Sequence, residues 1–193
     1  MTTKTKAKQS DRSDVAILLD IYSLLPNPYQ PESRVAVSME VGAQFGNSIK
    51  EHGLIQPIIV RLKDGEYEVG DGWLRVCGYR WLDGNDGSWS EIPGIVRDLT
   101  DQQMADLVME ANTIRKDLNP IELAGFYKRY LEDFGITQAE LARRHHCSQG
   151  EIANTVRLLE LPDDVRQKVI SQEISEAGGR QLLRLNTRPE LQA

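Results

Sequence analysis

VMEANTIRKDLNPIE, residues Val108 to Glu122, is where two kinds of sequence meet. Before it the pattern mixes extended and helical periodicities; after it only helical ones follow. Asn119-Pro120-Ile121-Glu122 is a helix start: an asparagine to accept from the first free N–H groups, a proline whose fixed φ suits the first helical position, and a glutamate placed to close a capping box. Just upstream, Glu110, Asn112 and Arg115 offer oxygens and a guanidinium within six residues, a set able to hold a metal-bound phosphate. Taken alone, the same residues describe a solvated helix end at least as well.

Downstream, Thr137 to Leu161 carries two helix starts eleven residues apart, Thr137 with Glu140 and Ser148 with Glu151, each spaced for a capping box. Leu141 and Ala142 face inward on the first helix, and His145-His146-Cys147 forms the bend. Ile152, Val156 and Leu159 recur at helical spacing on the second helix and predict its buried stripe. This is the pattern of a helix-turn-helix, whose second helix enters the major groove of DNA. Its outward residues include Gln149, Gly150, Ala153 and Asn154, with Arg157 further along; Gln and Asn can read adenine edges and Arg can reach guanine or phosphate. Thr137, Gln138, Ser148 and Arg180 complete the expected DNA-facing set, with Arg143 and Arg144 placed to grip the backbone. A helical hairpin that binds nothing would carry the same caps. Adjacent His145 and His146 beside Cys147 do not suggest a metal site, because neighbouring helix residues point about 100° apart and a fourth ligand is missing. They are turn residues that could touch a DNA phosphate, and His52 at a helix end is structural.

Upstream, residues 1–14 are polar and aperiodic, which predicts a disordered tail. Val15 to Tyr22 suits a buried strand, ended by the Pro26-Asn27-Pro28 turn. Ser38 to His52, with Met39, Val41, Phe45 and Ile49, predicts a helix closed by Gly53. Pro57 to Leu62 and Glu66 to Val69 predict a hairpin turning at Asp64-Gly65. Gly70-Asp71-Gly72 follows, then a helix from Trp73 to Leu82: a strand, a glycine turn and a helix start that can present backbone N–H groups to a phosphate. A tight turn accounts for two glycines equally well. Ile92 to Val96 is another strand, and Thr100 to Gln103 opens a further helix.

The 193 residues allow one domain or two of roughly 100 residues each. Two cysteines, Cys77 and Cys147, lie far apart with no CxxC spacing, which argues against a disulfide framework and fits a reducing cytoplasm. No apolar run approaches bilayer length and the N-terminus lacks a signal-peptide core. The net charge of −6 is uneven: residues 15–136 hold 11 basic against 19 acidic groups, whereas residues 137–193 balance at eight of each. A neutral helical region still binds DNA if its basic side chains share a face.

Asn27-Pro28-Tyr29-Gln30-Pro31, the run Ser48 to Ile58 (SIKEHGLIQPI), and Asn112, Arg115 and Asp117 to Glu122 resemble three successive boxes of the ParB family of chromosome and plasmid partition proteins. The helix-turn-helix, Leu158 to Pro162, and Ile174-Ser175 with Arg180 to Leu183 resemble its DNA-binding domain. The resemblance implies an α+β, ParB/sulfiredoxin-like N-terminal domain over 15–116, then an all-α domain over 117–193 with its helix-turn-helix at 137–161. It implies a cytoplasmic, nucleoid- or plasmid-associated homodimer that recognises a palindromic centromere-like site on double-stranded DNA. It further implies CTP and Mg2+ in the first domain, closure into a sliding clamp, and a ParA-type ATPase partner contacted through the N-terminal tail. By this likeness Gln30 and Arg34 flank the nucleotide pocket, Gly53 and Gln56 lie near the base, Gly70, Asp71, Gly72, Trp73 and Arg75 hold phosphates with Glu110 and Arg115 nearby, and Asn112 contacts magnesium.

The sequence departs from the family in three places. Where the family has Gly-Glu-Arg-Arg, an aromatic and another Arg, this chain has Gly70-Asp71-Gly72-Trp73-Leu74-Arg75, so two phosphate-binding arginines are missing. Each charge-assisted hydrogen bond lost costs about 1.5–3 kcal/mol. Ala111 stands where the family has the glutamate associated with hydrolysis, which implies at most a weak CTPase. Family members usually continue into a C-terminal dimerisation domain, whereas this sequence ends at Ala193; a shortened chain and dimerisation through the first two domains both stay open. Two other functions compete: a nucleotide-independent transcription regulator, and an enzyme, because the fold also resembles sulfiredoxin and domains assigned as nucleases. Cys77, inside a helix two residues past Arg75, is poorly placed for sulfiredoxin chemistry, and Asp71 with Glu110 is thin support for a nuclease.

Overall fold

The computed structural model describes residues 15–115 and 118–186; the tail expected at 1–14 lies outside them. Two compact units emerge, one of residues 15–26 and 37–98, the other of residues 27–36 and 99–186.

In the first unit the expected strands form β1 (Ala16–Asp20), β3 (Ile58–Lys63), β4 (Glu66–Asp71) and β5 (Glu91–Val96), and Leu24–Leu25 adds a two-residue β2 that carries no sequence signal of its own; β1, expected to be buried, is an edge strand of which Leu19 alone is buried. The sheet order is β1-β5-β3-β4-β2. β1 runs antiparallel to β5 and β3 antiparallel to β4, whereas β3 with β5 and β2 with β4 are parallel. Asp64 (φ 53) and Gly65 (φ 89) make the predicted hairpin turn. β4 continues past Val69, because the pairing shifts between Ile59 opposite Asp71 and Val60 opposite Val69, leaving Gly70 as the extra residue of a bulge.

Helices α2 (Met39–His52) and α3 (Trp73–Asp86) pack on each other. Their contact rests on glycine. A Cβ on Gly46 would lie 2.5 Å from Trp81 Cε3, and one on Gly78 would lie 3.0 Å from the Gly46 nitrogen. The buried face of α2 is therefore Gly42, Gly46 and Ile49, whereas Met39 is exposed. Ile21, Ile58, Val60, Val69, Val76, Leu82 and Ile92 form the core.

The second unit holds α1 (Glu32–Val35), α4 (Asp101–Arg115), α5 (Pro120–Phe134), α6 (Gln138–Arg144), α7 (Gln149–Val156), a 3-10 turn (Arg157–Glu160), α8 (Asp163–Ile170) and α9 (Glu176–Asn186). Thr100 and Gln103 cap α4 reciprocally, and Asn119 with Glu122 does so for α5 as predicted. Residues 27–36 are tied to these helices: Asn27 Nδ2 donates to the Met104 carbonyl at 2.9 Å, and Tyr29 lies under the Arg129 guanidinium, 4.7 Å from its ring centroid. One core cluster joins Ala105, Val108 and Met109 to Phe126, Tyr127, Tyr130, Leu141, Ala142 and Ile152; a second gathers Ala124, Leu158, Leu161, Val169 and Leu183. No described helix is long and apolar enough to cross a membrane. The α+β unit followed by a helical one with a helix-turn-helix agrees with the expected fold class.

Three local expectations are corrected. The buried stripe is Ile152 and Thr155 on α7 and Leu158 on the 3-10 turn, where every third residue aligns, not Ile152, Val156 and Leu159. Val156 packs partly against the first cluster and Leu159 against the second. The Thr137–Glu140 cap is only half formed: the Glu140 N–H donates to Thr137 Oγ1, but the Glu140 carboxylate accepts from Arg144 instead of reaching back. His145 stands in the turn just past α6, but its side chain is buried edge-on to Tyr130 and not available to a phosphate, whereas His146 (φ 54) is exposed.

Candidate functional site

Leu141 and Ala142 on α6 and Ile152 on α7 are buried together, so the two helices turn their polar sides outward. Ser148 begins α7 with a complete capping box: its Oγ accepts from the Glu151 N–H at 3.2 Å, and its own N–H donates to the Glu151 carboxylate at 2.7 Å. The bond from the Ser148 N–H, with the Ser148 side chain beside it, holds the Glu151 carboxyl below the usual carboxylate range. Ser148, Gln149 and Gly150 are exposed at this end, Thr137 and Arg143 are exposed beside them, and Gln138 is half-buried. Asn154 and Arg157 are half-buried, so of the predicted base readers only Gln149 stands fully in solvent. Arg180 sits on α9, which packs on the 3-10 turn carrying Arg157.

Every arginine of this set is paired. Arg144 Nη2 lies 3.0 Å and Arg143 Nη2 4.0 Å from the Glu140 carboxylate. Arg157 Nε lies 3.9 Å from Glu160, and Arg180 Nη1 3.0 Å from Glu176. These three glutamates are participants that sequence reasoning missed, although spacings of three and four residues on one helix face were visible in the sequence.

Below the turn, the Tyr130 hydroxyl donates to Asp106 at 2.5 Å, and His145 Nε2 lies 3.8 Å from the same carboxylate. Burial pushes the His145 imidazole below its ordinary value. Asp106 and His145 line a groove of about 420 Å³ with Leu99, Gln103, Leu107, Glu110 and Arg144. Glu110, expected at the nucleotide, and Arg144, expected at DNA, thus share one groove of the second unit.

In the first unit β4 ends at its bulge, Gly72 turns with φ 103, and α3 starts with no side chain capping it. An uncapped start of a fourteen-residue helix suits an anion. Arg75 is engaged locally: Nη1 donates to the Gln56 and Pro57 carbonyls at 2.9 and 2.8 Å, and Nη2 to Asp71 Oδ2 at 2.7 Å. Gln56, Asp71, Gly72 and Arg75 are therefore brought together. Trp73 is buried, with the Arg80 guanidinium 5.1 Å from its ring centroid. Gly53 closes α2 at φ 74. Gln30, Arg34, Glu110, Asn112 and Arg115 belong to the second unit. Gln30 and Arg34 are half-buried and Glu110 is exposed; Asn112 and Arg115 lie on α4, with side chains outside the described part of the structure. Burial pushes the Cys77 thiol up, away from the thiolate that sulfiredoxin chemistry requires.

Residues 4–113 match the ParB N-terminal domain family and residues 116–193 the ParB HTH domain family. A nucleoid occlusion protein of Lysinibacillus sphaericus is 35% identical over 95% of this chain and 60% of its own length. The chromosome-partitioning protein ParB of Myxococcus xanthus is 37% identical over 97% of this chain and 60% of its own. The chain thus spans about 60% of these relatives. A crystal structure of the C-terminally truncated ParB from Caulobacter crescentus, complexed to the centromeric parS site, is 32% identical over 85% of this chain and 82% of its own, with a TM-score of 0.58. A structure of the same protein complexed with CTP-gamma-S is 34% identical over 86% of this chain and 90% of its own, with a TM-score of 0.41.

Proposed function

Because the chain belongs to the ParB family, we propose that it is a sequence-specific double-stranded DNA-binding protein of DNA segregation, acting in the cytoplasm as a homodimer on a palindromic centromere-like site. The observation that carries this reading is the α6–α7 pair: two helices buried against each other, with the capped start of the second presenting Ser148, Gln149 and Gly150 to solvent. That geometry suits insertion of α7 into the major groove, with Arg143 and Arg144 on phosphates and Asn154 and Arg157 toward base edges. The likeness to a ParB solved on its parS site supports it.

The finer reading adds CTP with Mg2+, closure into a sliding clamp, and a ParA-type ATPase as partner. The uncapped start of α3 and the Gly72 turn fit a phosphate group; Gly70 to Arg75 would hold the triphosphate, Gly53 and Gln56 the base end, Gln30 and Arg34 its flank, and Asn112 the magnesium with Glu110 and Arg115 nearby. Bound magnesium would neutralise the phosphates. Ala111 in place of the family's glutamate supports slow hydrolysis at most. The nucleotide-independent regulator is the second reading, favoured by the engagement of Arg75 with Asp71 and two loop carbonyls.

Selection of duplexes from a randomised pool, followed by equilibrium binding, tests the DNA reading. Arg143→Ala and Arg144→Ala should weaken binding to all sequences alike, whereas Asn154→Ala should relax preference at one position. Identical behaviour of the two classes would refute the groove assignment. CTP binding in magnesium, against ATP and GTP, separates the clamp from the regulator.

A further inference from the structure

The four arginines expected at DNA, Arg143, Arg144, Arg157 and Arg180, share three carboxylates, Glu140, Glu160 and Glu176, each on the same or the adjoining helical turn. The carboxylates are solvent-accessible, and Glu140, which serves two arginines, is 35% exposed. Residues 137–193 are accordingly neutral, with eight basic and eight acidic groups. A domain built only to hold DNA tightly gains from an excess of positive charge, because phosphate neutralisation and counterion release drive association with any sequence. Here three of the four positive charges are cancelled on their own helices, Glu140 being shared by Arg143 and Arg144.

We propose that Glu140, Glu160 and Glu176 are specificity-determining residues that suppress binding to non-cognate DNA. The inference rests on the DNA-binding reading of α6 and α7. In a loose, non-specific complex, water and ions separate protein from phosphate, and what matters is local net charge; an arginine with its glutamate contributes almost none, so few counterions are released. In the cognate complex Arg143 and Arg144 touch phosphate directly and Arg157 turns toward a base edge. Exposed ion pairs of this kind are weak, so each guanidinium exchanges partner readily. It can also bridge, one edge on phosphate and the other on its glutamate, and the carboxylate then fixes its orientation. The penalty therefore falls mainly on complexes lacking base contacts, and affinity for the correct site is largely kept. Glu151 does not belong to the set, because its carboxylate caps Ser148.

The test is the triple variant Glu140→Gln, Glu160→Gln, Glu176→Gln beside the unaltered chain, titrated against a duplex recovered by selection and against a random-sequence duplex, over a range of salt. Matching urea midpoints establish that both are folded, and Glu160→Gln alone, away from the Thr137 cap, provides a second variant. Expected are a gain of about tenfold for random duplex, a steeper salt dependence of that binding by up to about 2–3 in the log–log slope, and a change of less than about threefold for the selected duplex. Equal gains on both duplexes, or no change on random duplex, would overturn the inference while leaving DNA binding intact. If the unaltered chain prefers no duplex at all, the functional reading fails first and the inference with it.

Discussion

Arg75 in the first turn of α3 and Asp71 at the end of β4 form an ion pair of 2.7 Å across the Gly72 turn, so the cation expected to meet a triphosphate already faces a carboxylate. The remaining Nη1 bonds to the Gln56 and Pro57 carbonyls make Arg75 a brace between loop and turn. A nucleotide must approach both charges at once. Asp71→Asn removes the repulsive one while leaving an oxygen for Arg75. It should tighten CTP binding by about five- to tenfold, on the order of 1 kcal/mol, in calorimetric titration with magnesium. A tenfold loss instead would make Asp71 a ligand contact.

Gly72 shapes the same turn. With φ at 103, an added Cβ would lie 2.7 Å from the fully buried Ile58 Cγ2 and 3.1 Å from Arg75 Cζ. Neither neighbour can retreat without opening the sheet or the brace. Gly72→Ala should destabilise the first unit by about 2–4 kcal/mol, read as a lowered urea midpoint. An unchanged midpoint would mean the turn relaxes freely.

Features written in short range were legible. The Ser148 and Asn119 caps, the Asp64-Gly65 hairpin and the glycine turn before Trp73 all follow from residue types that fix a local backbone. Long-range choices were not. Asn27 reaches Met104 across 77 residues, and nothing near either residue announces that residues 27–36 pack with the helices. β2 is two residues long and exists only because Tyr67 and Glu68 offer it a partner. At the site, the residue types for phosphate and DNA contact stood in the sequence, but competition did not: Glu140 leaves Thr137 for Arg144, and Arg75 is taken up by carbonyls 18 and 19 residues away.

His145 links the helix-turn-helix to α4 and α5. Burial lowers its pKa first; Asp106 and Glu110 on α4 pull it back, Arg144 and His146 push it further down, and Tyr130 on α5 meets the ring edge-on. A histidine depressed in the folded state favours folding fully above its ordinary value near 6.5, and that contribution is lost as pH falls through the folded value. Urea midpoints between pH 8 and pH 5 should therefore fall more for the unaltered chain than for His145→Gln. Parallel curves would mean that His145 ionises in place, paired with Asp106.

Ser148 separates stability from DNA binding. Its Oγ caps the Glu151 N–H, and the reciprocal bond from its backbone survives substitution. Ser148→Ala should thus cost about 1 kcal/mol of stability. Ser148→Asp supplies an equivalent cap and favours the helix dipole, so its urea midpoint should match or exceed that of the unaltered chain. If the start of α7 enters the groove, however, the same carboxylate faces phosphates and base edges, and DNA affinity should drop more than about tenfold. Stability retained with binding lost is the signature of a helix start that meets DNA. Stability and binding both retained would turn α7 away from the groove and leave another face of the helical unit to hold the duplex.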